Sequence, residues 1–208
     1  ADGAVFPALT YSFYPVFANL HGVAYETVPL REDFTLDVAG MQGKGKLTVF
    51  PNPNAPTGIA LPLDQVEAIV ASNPDHVVVV DEAYVDFGAD SAVPLLQKYE
   101  NLLVVMTYSK SRSMAGARLG FALGSRTLLQ DLEKLKYSTN PYNVNRLTLK
   151  LGQAAVDSDG YFREKAREIM ATREKTAQAL RALSFTLPDS QANFLFVAHP
   201  KVAGETLY

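Results

Sequence analysis

The stretch Leu102 to Phe121 reads LLVVMTYSKSRSMAGARLGF, and it decides the fold. Its first five residues are apolar and rich in valine, which predicts a strand buried on both faces of a sheet. A serine and lysine pair follows, so Lys110 lies just past the carboxyl end of this strand. Open α/β sheets bind their ligands at that end. The sequence therefore predicts a binding site around Lys110.

The residues near Lys110 are of a kind that binds phosphate. Hydroxyl and guanidinium groups hold phosphate through charge-assisted hydrogen bonds, and this stretch contains Thr107, Ser109, Ser111, Arg112, Ser113 and Arg118. A primary amine beside a phosphate site suggests an imine with a phosphorylated aldehyde. A lysine in a serine-rich loop is also commonly just solvated, so this hypothesis depends on further segments.

The composition restricts the class of protein. The chain has 208 residues, of which 48% are hydrophobic, a net charge of −3 and no cysteine. This apolar fraction can form the core of one domain, or of one domain and part of another. The mild charge argues against nucleic acid and anionic membranes as partners, and no stretch is as long as a membrane span. Because the histidines are isolated from one another, we predict no metal site, and we expect a cytoplasmic protein.

Two further strands precede the Leu102 strand. Leu47 to Phe50 ends at the loop NPNAPTG, and His76 to Val80, HVVVV, ends at Asp81. The intervening segments, Pro62 to Ala71 and Pro94 to Tyr99, have the pattern of helices. An alternation of strands and helices implies parallel pairing with right-handed crossovers.

The spacing of the strand ends predicts a shared site. The three strands end roughly thirty residues apart, which is one βαβ unit in each case. Parallel strands joined in this way end at the same edge of the sheet, so we expect the loop Asn52 to Gly58, the Asp81 carboxylate and the Lys110 amine to meet in one crevice.

Asp81, Tyr84 and Tyr11 are candidates for holding a heteroaromatic ligand. Asp81 follows four valines and needs a partner near an apolar interior, for which a protonated ring nitrogen is suitable; a helix N-cap or turn role is the alternative. Tyr84 can direct its hydroxyl to the same ligand, or it can pack as an ordinary aromatic. Tyr11 can provide a stacking surface, or belong to the core.

Three motifs in order resemble one known family. NPNAPTG, VVVVDEAYVDF and TYSKSRSMAGARLGF resemble the pyridoxal-phosphate aminotransferases of fold type I, and specifically the histidinol-phosphate aminotransferases. PYNVN at 141–145 and LTYSFY at 9–14 are similar to further segments of that family. The resemblance implies an α/β fold, a three-layer sandwich around a mostly parallel sheet, followed by the start of a smaller α+β domain. It also implies a homodimer whose sites are shared across the interface.

The resemblance assigns roles to individual residues. Lys110 matches the lysine that forms an imine with pyridoxal 5'-phosphate and later moves a proton between Cα and C4′ of the adduct of substrate and cofactor. Asp81 matches the partner of the pyridinium nitrogen. Tyr84 matches the donor to the ring's phenolic oxygen, and Tyr11 the stacking ring. The remaining matches are the phosphate ligands Ser109 and Arg118, with Thr107 as a third, and Asn193, which resembles a substrate-side position. Arg118, eight residues after the lysine, is preferred to Arg112.

The loop at 52–58 departs from the family pattern. The family has Asn-Pro-Thr-Gly, with the asparagine donating to the phenolic oxygen, whereas this chain has Ala55 before Pro56. Alanine has no side-chain donor. Asn54 is therefore a candidate that reaches the cofactor from one residue earlier, and otherwise Tyr84 acts with less help.

The family pattern predicts two domains, both partial. Residues 1–157 correspond to a large cofactor-binding domain, and 158–208 to a connecting helix and the beginning of a small domain. Helices are predicted over Arg126 to Tyr137, Leu147 to Val156 and Tyr161 to Leu183, followed by a strand over Phe194 to Val197 and a helix opening in 201–208. The family's opening segment and its C-terminal arginine have no counterpart here, so we expect weak activity from this chain.

The function expected from the resemblance is transfer of an amino group from histidinol phosphate to 2-oxoglutarate, with ping-pong kinetics. Three alternatives stay open. One is another fold type I enzyme, such as an aromatic aminotransferase or a threonine-phosphate decarboxylase. The second is a non-catalytic domain that binds a phosphate ligand or dimerises. The third is a regulator that uses this fold as a sensor, for which the sequence shows no DNA-binding domain.

Overall fold

A six-stranded, mostly parallel sheet forms the centre of the protein, as described by a computed structural model for residues 3–207. The strands lie in the order β2-β1-β3-β4-β5-β6, and only β6 runs antiparallel, next to β5. Their bounds are β1 Ala4–Pro7, β2 Tyr25–Val28, β3 Leu47–Pro51, β4 Val78–Asp81, β5 Leu102–Thr107 and β6 Gly120–Gly124. The predicted α/β class with a mostly parallel sheet is confirmed.

Helices connect and follow the strands. They are α1 Phe13–Leu20, α2 Val38–Met41, α3 Leu63–Ala71, α4 Arg126–Thr139, α5 Arg146–Asp157, α6 Asp159–Ala182 and α7 Gly204–Leu207. Ser125 and Asn145 cap α4 and α5, because their side-chain oxygens accept hydrogen bonds from backbone N–H groups in the first turn. The segment predicted as a helix before β5 is a 3₁₀ helix, Val93–Gln97, with proline in its first turn.

The main core lies between one face of the sheet and helices α2 and α3. Alternate residues of β4 and β5 enter it, namely Val78, Val80, Leu102 and Val104, all fully buried. Helix α3 contributes Val66, Ile69 and Val70, which are also fully buried. Because side chains alternate along a strand, Asp81 and Val105 lie on the opposite face. That face carries the residues described below.

The C-terminal part of the chain follows α6. The strand predicted over Phe194 to Val197 is wrong: these residues have no strand partner in the described part of the chain, and the pairing nearby is limited to single bridges of Ala198 with Thr186 and of His199 with Val202. The Phe194 carbonyl instead accepts a hydrogen bond from Ser190 Oγ at 2.7 Å, within a tight turn. Helix α7 lies in the predicted helix opening, of which Tyr208 is outside the described residues.

No helix within residues 3–207 combines the length and the apolar character needed to cross a membrane.

Candidate active site

The five parallel strands end at the same edge of the sheet. The register pairs Pro51 at the end of β3 with Asp81 at the end of β4, and Asp81 in turn with Val105 in β5. Backbone hydrogen bonds extend this pairing past the strand ends, since Asn52 N donates to the Asp81 carbonyl at 2.9 Å. The loops after β1, β3, β4 and β5 therefore emerge side by side.

A cavity of about 310 Å³ lies among these loops. Its lining contains seven of the nine residues proposed from sequence for the site: Tyr11, Asp81, Tyr84, Thr107, Ser109, Lys110 and Arg118. Pro51, Ala55, Ala83, Val105, Met106 and Ala115 complete the lining. The cavity thus combines an amine, a carboxylate, two aromatic rings, two hydroxyls and a guanidinium group.

Lys110 lies in the loop between β5 and β6. The base of this loop is closed by the Tyr108 N–H group, which donates to the Leu119 carbonyl at 3.0 Å. The Lys110 side chain is exposed toward the cavity, with Nζ 5.2 Å from the centre of the Tyr84 ring. This distance is within the range of a cation–π contact. The amine is thereby held near Tyr84 while it stays accessible to a ligand.

The two hydroxyls in the cavity lining lie next to each other. Thr107 Oγ1 donates to Ser109 Oγ at 2.8 Å and accepts from the Ser109 backbone N–H at 3.0 Å. Arg118 has a left-handed backbone, with φ of 54°, and its guanidinium donates to the Ala115 carbonyl at 2.9 Å. Such a group of donors is suited to a phosphate.

Asp81 is held by two donors from the protein. Tyr14 Oη donates to Asp81 Oδ2 at 2.7 Å, and the Ala83 backbone N–H donates to Oδ1 at 3.1 Å. Burial raises the pKa of the Asp81 carboxyl, while these two hydrogen bonds and the charge of Lys110 act in the opposite direction. Burial and the neighbouring Asp81 charge raise the pKa of Tyr14, so its hydroxyl stays protonated and remains a donor.

Tyr84 is fixed by an aromatic contact from the C-terminal part of the chain. Its ring meets Phe194 edge to face, with centroids 5.0 Å apart. Two further contacts tie the same regions together: Arg173 Nη1 on α6 donates to the carbonyls of Phe87 and Ala192, at 2.9 and 2.8 Å. The segment after α6 therefore supports the loop that carries Asp81 and Tyr84.

Asn54 does not line the cavity, which argues against its proposed contact with a cofactor. Its side chain is buried and bonded within the protein: Nδ2 donates to the Leu9 carbonyl at 3.1 Å and to Thr57 Oγ1 at 3.2 Å, and Oδ1 accepts from Thr10 Oγ1 at 3.1 Å. Ala55, the next residue, faces the cavity instead. Asn54 joins the 52–58 loop to the segment that carries Tyr11.

Asn193 also lies outside this cavity. It lines a separate groove against α6, together with Thr172, Arg173 and Leu195. Its neighbour Phe194 makes the contact with Tyr84. Phe194 lines the same groove as Asn193, so the residue proposed for the substrate side is next to a residue that supports the site but is not itself in the cavity lining.

Arg112 lies apart from the cavity that Arg118 lines. Its guanidinium pairs with Asp159 at 2.6 Å and lies 5.3 Å from the centre of the Phe162 ring. Arg112 thus joins the lysine loop to the beginning of α6.

Sequence reasoning missed Tyr14, the side-chain partner of Asp81. Tyr14 lies in the first turn of α1, and Tyr11 precedes that helix. Helix α1 was not predicted, and the contact joins residues 67 positions apart in sequence, so no local pattern indicated it.

Comparison with known proteins agrees with this geometry. Residues 1–206 match the family described as "Aminotransferase class I and II". The chain is 53% identical over 199 residues to histidinol-phosphate aminotransferase 1 of Bordetella parapertussis, covering 94% of this chain and 56% of that protein. It is 45% identical over 208 residues to the histidinol-phosphate aminotransferase of Brachyspira hyodysenteriae, covering all of this chain and 59% of that protein. The chain thus spans somewhat more than half the length of these curated relatives.

A solved structure has the same fold. The crystal structure of histidinol-phosphate aminotransferase from Sinorhizobium meliloti in complex with pyridoxal-5'-phosphate superposes with a TM-score of 0.87 and 25% sequence identity. The match covers 97% of this chain and 56% of that chain.

Proposed function

The chain belongs to the aminotransferase class I and II family, and from this membership we propose that it carries the cofactor site of a pyridoxal-phosphate-dependent aminotransferase acting on histidinol phosphate. The observation that supports this most directly is the convergence of Lys110, Asp81 and the donors Thr107, Ser109 and Arg118 on one cavity. The names of the curated relatives support the substrate. We propose 2-oxoglutarate as the acceptor of the amino group.

The residues of the cavity fit pyridoxal phosphate in charge and in kind. We propose that Thr107, Ser109 and Arg118 bind the phosphate, since they supply two hydroxyls and a cation. Asp81 is a partly buried carboxyl whose two oxygens are already oriented, which suits a cationic ring N–H. Tyr11 offers a ring for stacking, and its side chain is about half exposed, at 52%. When bound, the cofactor supplies a pyridinium ring that accepts the electron pair of a substrate C–H bond.

We propose a role for each of the three catalytic residues. Lys110 Nζ would hold the cofactor through its aldehyde and, once displaced by the donor amine, would act as the general base and acid that moves a proton between the substrate α-carbon and the aldehyde carbon of the cofactor. Asp81 would accept a hydrogen bond from the protonated ring nitrogen, and the protonated ring is the electron-deficient form that the cofactor chemistry needs. Tyr84 would donate a hydrogen bond from its hydroxyl group to the phenolic oxygen of the cofactor ring. The amino group passes from donor to acceptor in two half-reactions at one site, so we expect ping-pong kinetics.

Ala55 removes one donor that the family pattern provides. Because Ala55 faces the cavity and Asn54 is bonded elsewhere, we propose that Tyr84 is the side-chain donor to the phenolic oxygen from this part of the cavity. A single donor stabilises the ionised oxygen less than two do.

We also propose the organisation of the whole protein. Residues 1–157 would form most of a large cofactor-binding domain, and 158–208 a connecting helix with the start of a small domain; the break between α5 and α6 at Ser158 supports this division. A cytoplasmic homodimer without nucleic-acid or membrane partners agrees with the family and with exposed apolar side chains on α1, namely Phe13, Val16, Phe17 and Leu20. Light scattering of the purified protein tests the dimer.

Covalent labelling tests the cofactor site. The protein is mixed with pyridoxal phosphate, reduced with borohydride and digested, and the labelled peptide is identified by mass spectrometry. We expect the label on Lys110, and none of it at this position in Lys110→Ala. Lys150→Ala, an exposed position on α5, should label as the parent does. Equal labelling of many lysines, or none at Lys110, would contradict the proposal.

Substrate comparison tests the specificity. The loaded protein is offered histidinol phosphate, aromatic amino acids or phosphothreonine, and glutamate formation from 2-oxoglutarate and carbon dioxide release are measured. We expect histidinol phosphate to be the preferred amino donor. Preference for an aromatic amino acid would point to an aromatic aminotransferase, and carbon dioxide release from phosphothreonine to a decarboxylase.

A further inference from the structure

Tyr14 contacts the proposed cofactor site through Asp81, although it is neither among the residues assigned from the motifs nor in the cavity lining. It lies in α1, and its hydroxyl donates to Asp81 Oδ2 at 2.7 Å across a sequence separation of 67 residues. The Ala83 N–H group donates to the other oxygen, Oδ1, at 3.1 Å. Each carboxylate oxygen can accept two hydrogen bonds, so both keep capacity for a ligand in the cavity.

The ring of Tyr14 is fixed by its neighbours. It meets Tyr11 edge to face, with centroids 5.6 Å apart, and lies 6.0 Å from the ring of Phe6, which is buried in β1. A phenol held by two rings loses little freedom when it makes a hydrogen bond. Tyr14 is absent from the cavity lining, so its effect on a ligand must pass through Asp81.

The surroundings of Asp81 give this hydrogen bond an electrostatic consequence. Burial favours the neutral carboxyl and raises the pKa of Asp81, whereas the hydroxyl of Tyr14 favours the ionised form. The other titratable or charged groups near this carboxylate come from three segments. They are Tyr11 after β1, Glu82 and Tyr84 after β4, and Lys110 and Arg118 in the loop between β5 and β6. Of the side chains in the described part of the protein, Tyr14 is the one that donates a hydrogen bond to Asp81.

We propose that Tyr14 is a positioning residue, which holds the Asp81 carboxylate ionised and in one orientation so that it can bind the cationic N–H group of the cofactor ring. The identity of that ring rests on the proposed function. The hydrogen bond between Tyr14 and Asp81 is a property of the protein alone, and it is therefore testable with and without cofactor.

The first experiment uses cofactor-free protein. The pKa of Asp81 is measured by carbon-13 NMR of the carboxyl group in the parent, in Tyr14→Phe and in the control Tyr25→Phe. Tyr25 stacks on the same Phe6 ring, at 5.0 Å, and its hydroxyl makes no hydrogen bond in the described part of the chain. We expect a higher Asp81 pKa in Tyr14→Phe and no change in the control. An unchanged pKa in Tyr14→Phe would overturn the proposal.

The second experiment measures affinity for pyridoxal phosphate as a function of pH. Without Tyr14, Asp81 is less well oriented and takes up a proton more readily, which weakens its hydrogen bond to the ring N–H group. Loss of one such hydrogen bond between charged groups corresponds to about tenfold weaker binding. In Tyr14→Phe we expect this loss at neutral pH, and we expect the decline of affinity on acidification to begin at a higher pH than in the parent, because Asp81 takes up its proton earlier. Parent-like affinity at every pH would overturn the proposal.

A double-mutant cycle separates positioning from a general structural role. If Tyr14 acts through Asp81, Tyr14→Phe should cause little further loss of affinity in an Asp81→Asn background. Additive losses would mean that Tyr14 acts on the fold, and would overturn the proposal even if the variants are less stable. Failure of the parent to label at Lys110 would overturn the proposed function instead, whereas normal labelling with unchanged affinity in Tyr14→Phe would overturn this assignment alone.

Discussion

Replacing Asn54 by alanine should destabilise the fold without changing the chemistry of the site. The side chain is 5% exposed and makes three hydrogen bonds, to the Leu9 carbonyl, Thr57 Oγ1 and Thr10 Oγ1. Each hydrogen bond contributes about 0.5–1.5 kcal/mol net, and buried partners left without one add to the loss. We therefore expect Asn54→Ala to lower the free energy of unfolding by about 2–4 kcal/mol.

Urea denaturation followed by circular dichroism measures this loss. A slope of about 3 kcal/mol per molar of urea converts a loss of about 3 kcal/mol into a midpoint lower by roughly 1 M. In conditions where the variant is folded, the pH dependence of the cofactor's visible absorption should match that of the parent, because the amide of Asn54 does not reach the cavity.

Ala55→Asn is the matched variant for the neighbouring position. It adds a donor to the cavity, so we expect the pH midpoint of the cofactor absorption to fall, with a stability change within about 0.5 kcal/mol. A shifted midpoint in Asn54→Ala together with an unshifted one in Ala55→Asn would refute the reasoning, since Asn54 would then be the residue that serves the cofactor.

Three further substitutions test the support of the site. Burial raises the pKa of the Glu82 carboxyl above its ordinary value of 4.5. The contribution of Glu82 to stability is therefore greatest below that pH and is lost as the pH rises through the folded-state pKa. In urea denaturation, Glu82→Gln should gain stability relative to the parent from about pH 4 to 7, and a difference that is constant with pH would contradict this. Arg173→Met removes the hydrogen-bond donor to the carbonyls of Phe87 and Ala192, so it should lower the free energy of unfolding by about 2–4 kcal/mol in urea denaturation. A loss below about 0.5 kcal/mol would argue against any support of the site by Arg173. Gly58 has φ of 75° and a Cβ there would meet the Ser190 side chain, so Gly58→Ala should cost about 1–3 kcal/mol by thermal denaturation. The same substitution should cost less in a Ser190→Gly background than in the parent, and a melting temperature of Gly58→Ala equal to the parent's would contradict the expected clash.

The parts of the fold that the sequence predicted are those with a strong local pattern. Strands β3, β4 and β5 are short apolar runs that end at polar loops, and α3 has a clear apolar face. Strand β6 was missed because it begins and ends with glycine, which has a low preference for strands. Phe194 to Val197 has the composition of a strand, but strand formation requires a partner, which a local pattern cannot supply.

The site was predictable as far as the spacing of parallel strands determines it. The ends of β3, β4 and β5 brought the 52–58 loop, Asp81 and Lys110 together as expected. The orientation of single side chains in loops was not predictable, because it depends on contacts from distant segments. Asn54 is turned away from the cavity by residues 9 and 10. Asn193 and Phe194 line the same groove on α6, but of the two only Phe194 makes an aromatic contact with Tyr84.

The antiparallel pairing of β5 with β6 has a consequence for motion in the lysine loop. Thr107 pairs with Gly120, and Tyr108 bonds to Leu119, so the loop from 109 to 118 begins and ends at one closed ladder. Separating its ends requires fraying of that ladder, and the Tyr108 amide should exchange with deuterium as slowly as the strands themselves. The amine of Lys110 then changes direction through rotation of its own side chain, on the nanosecond scale, while its backbone stays in place.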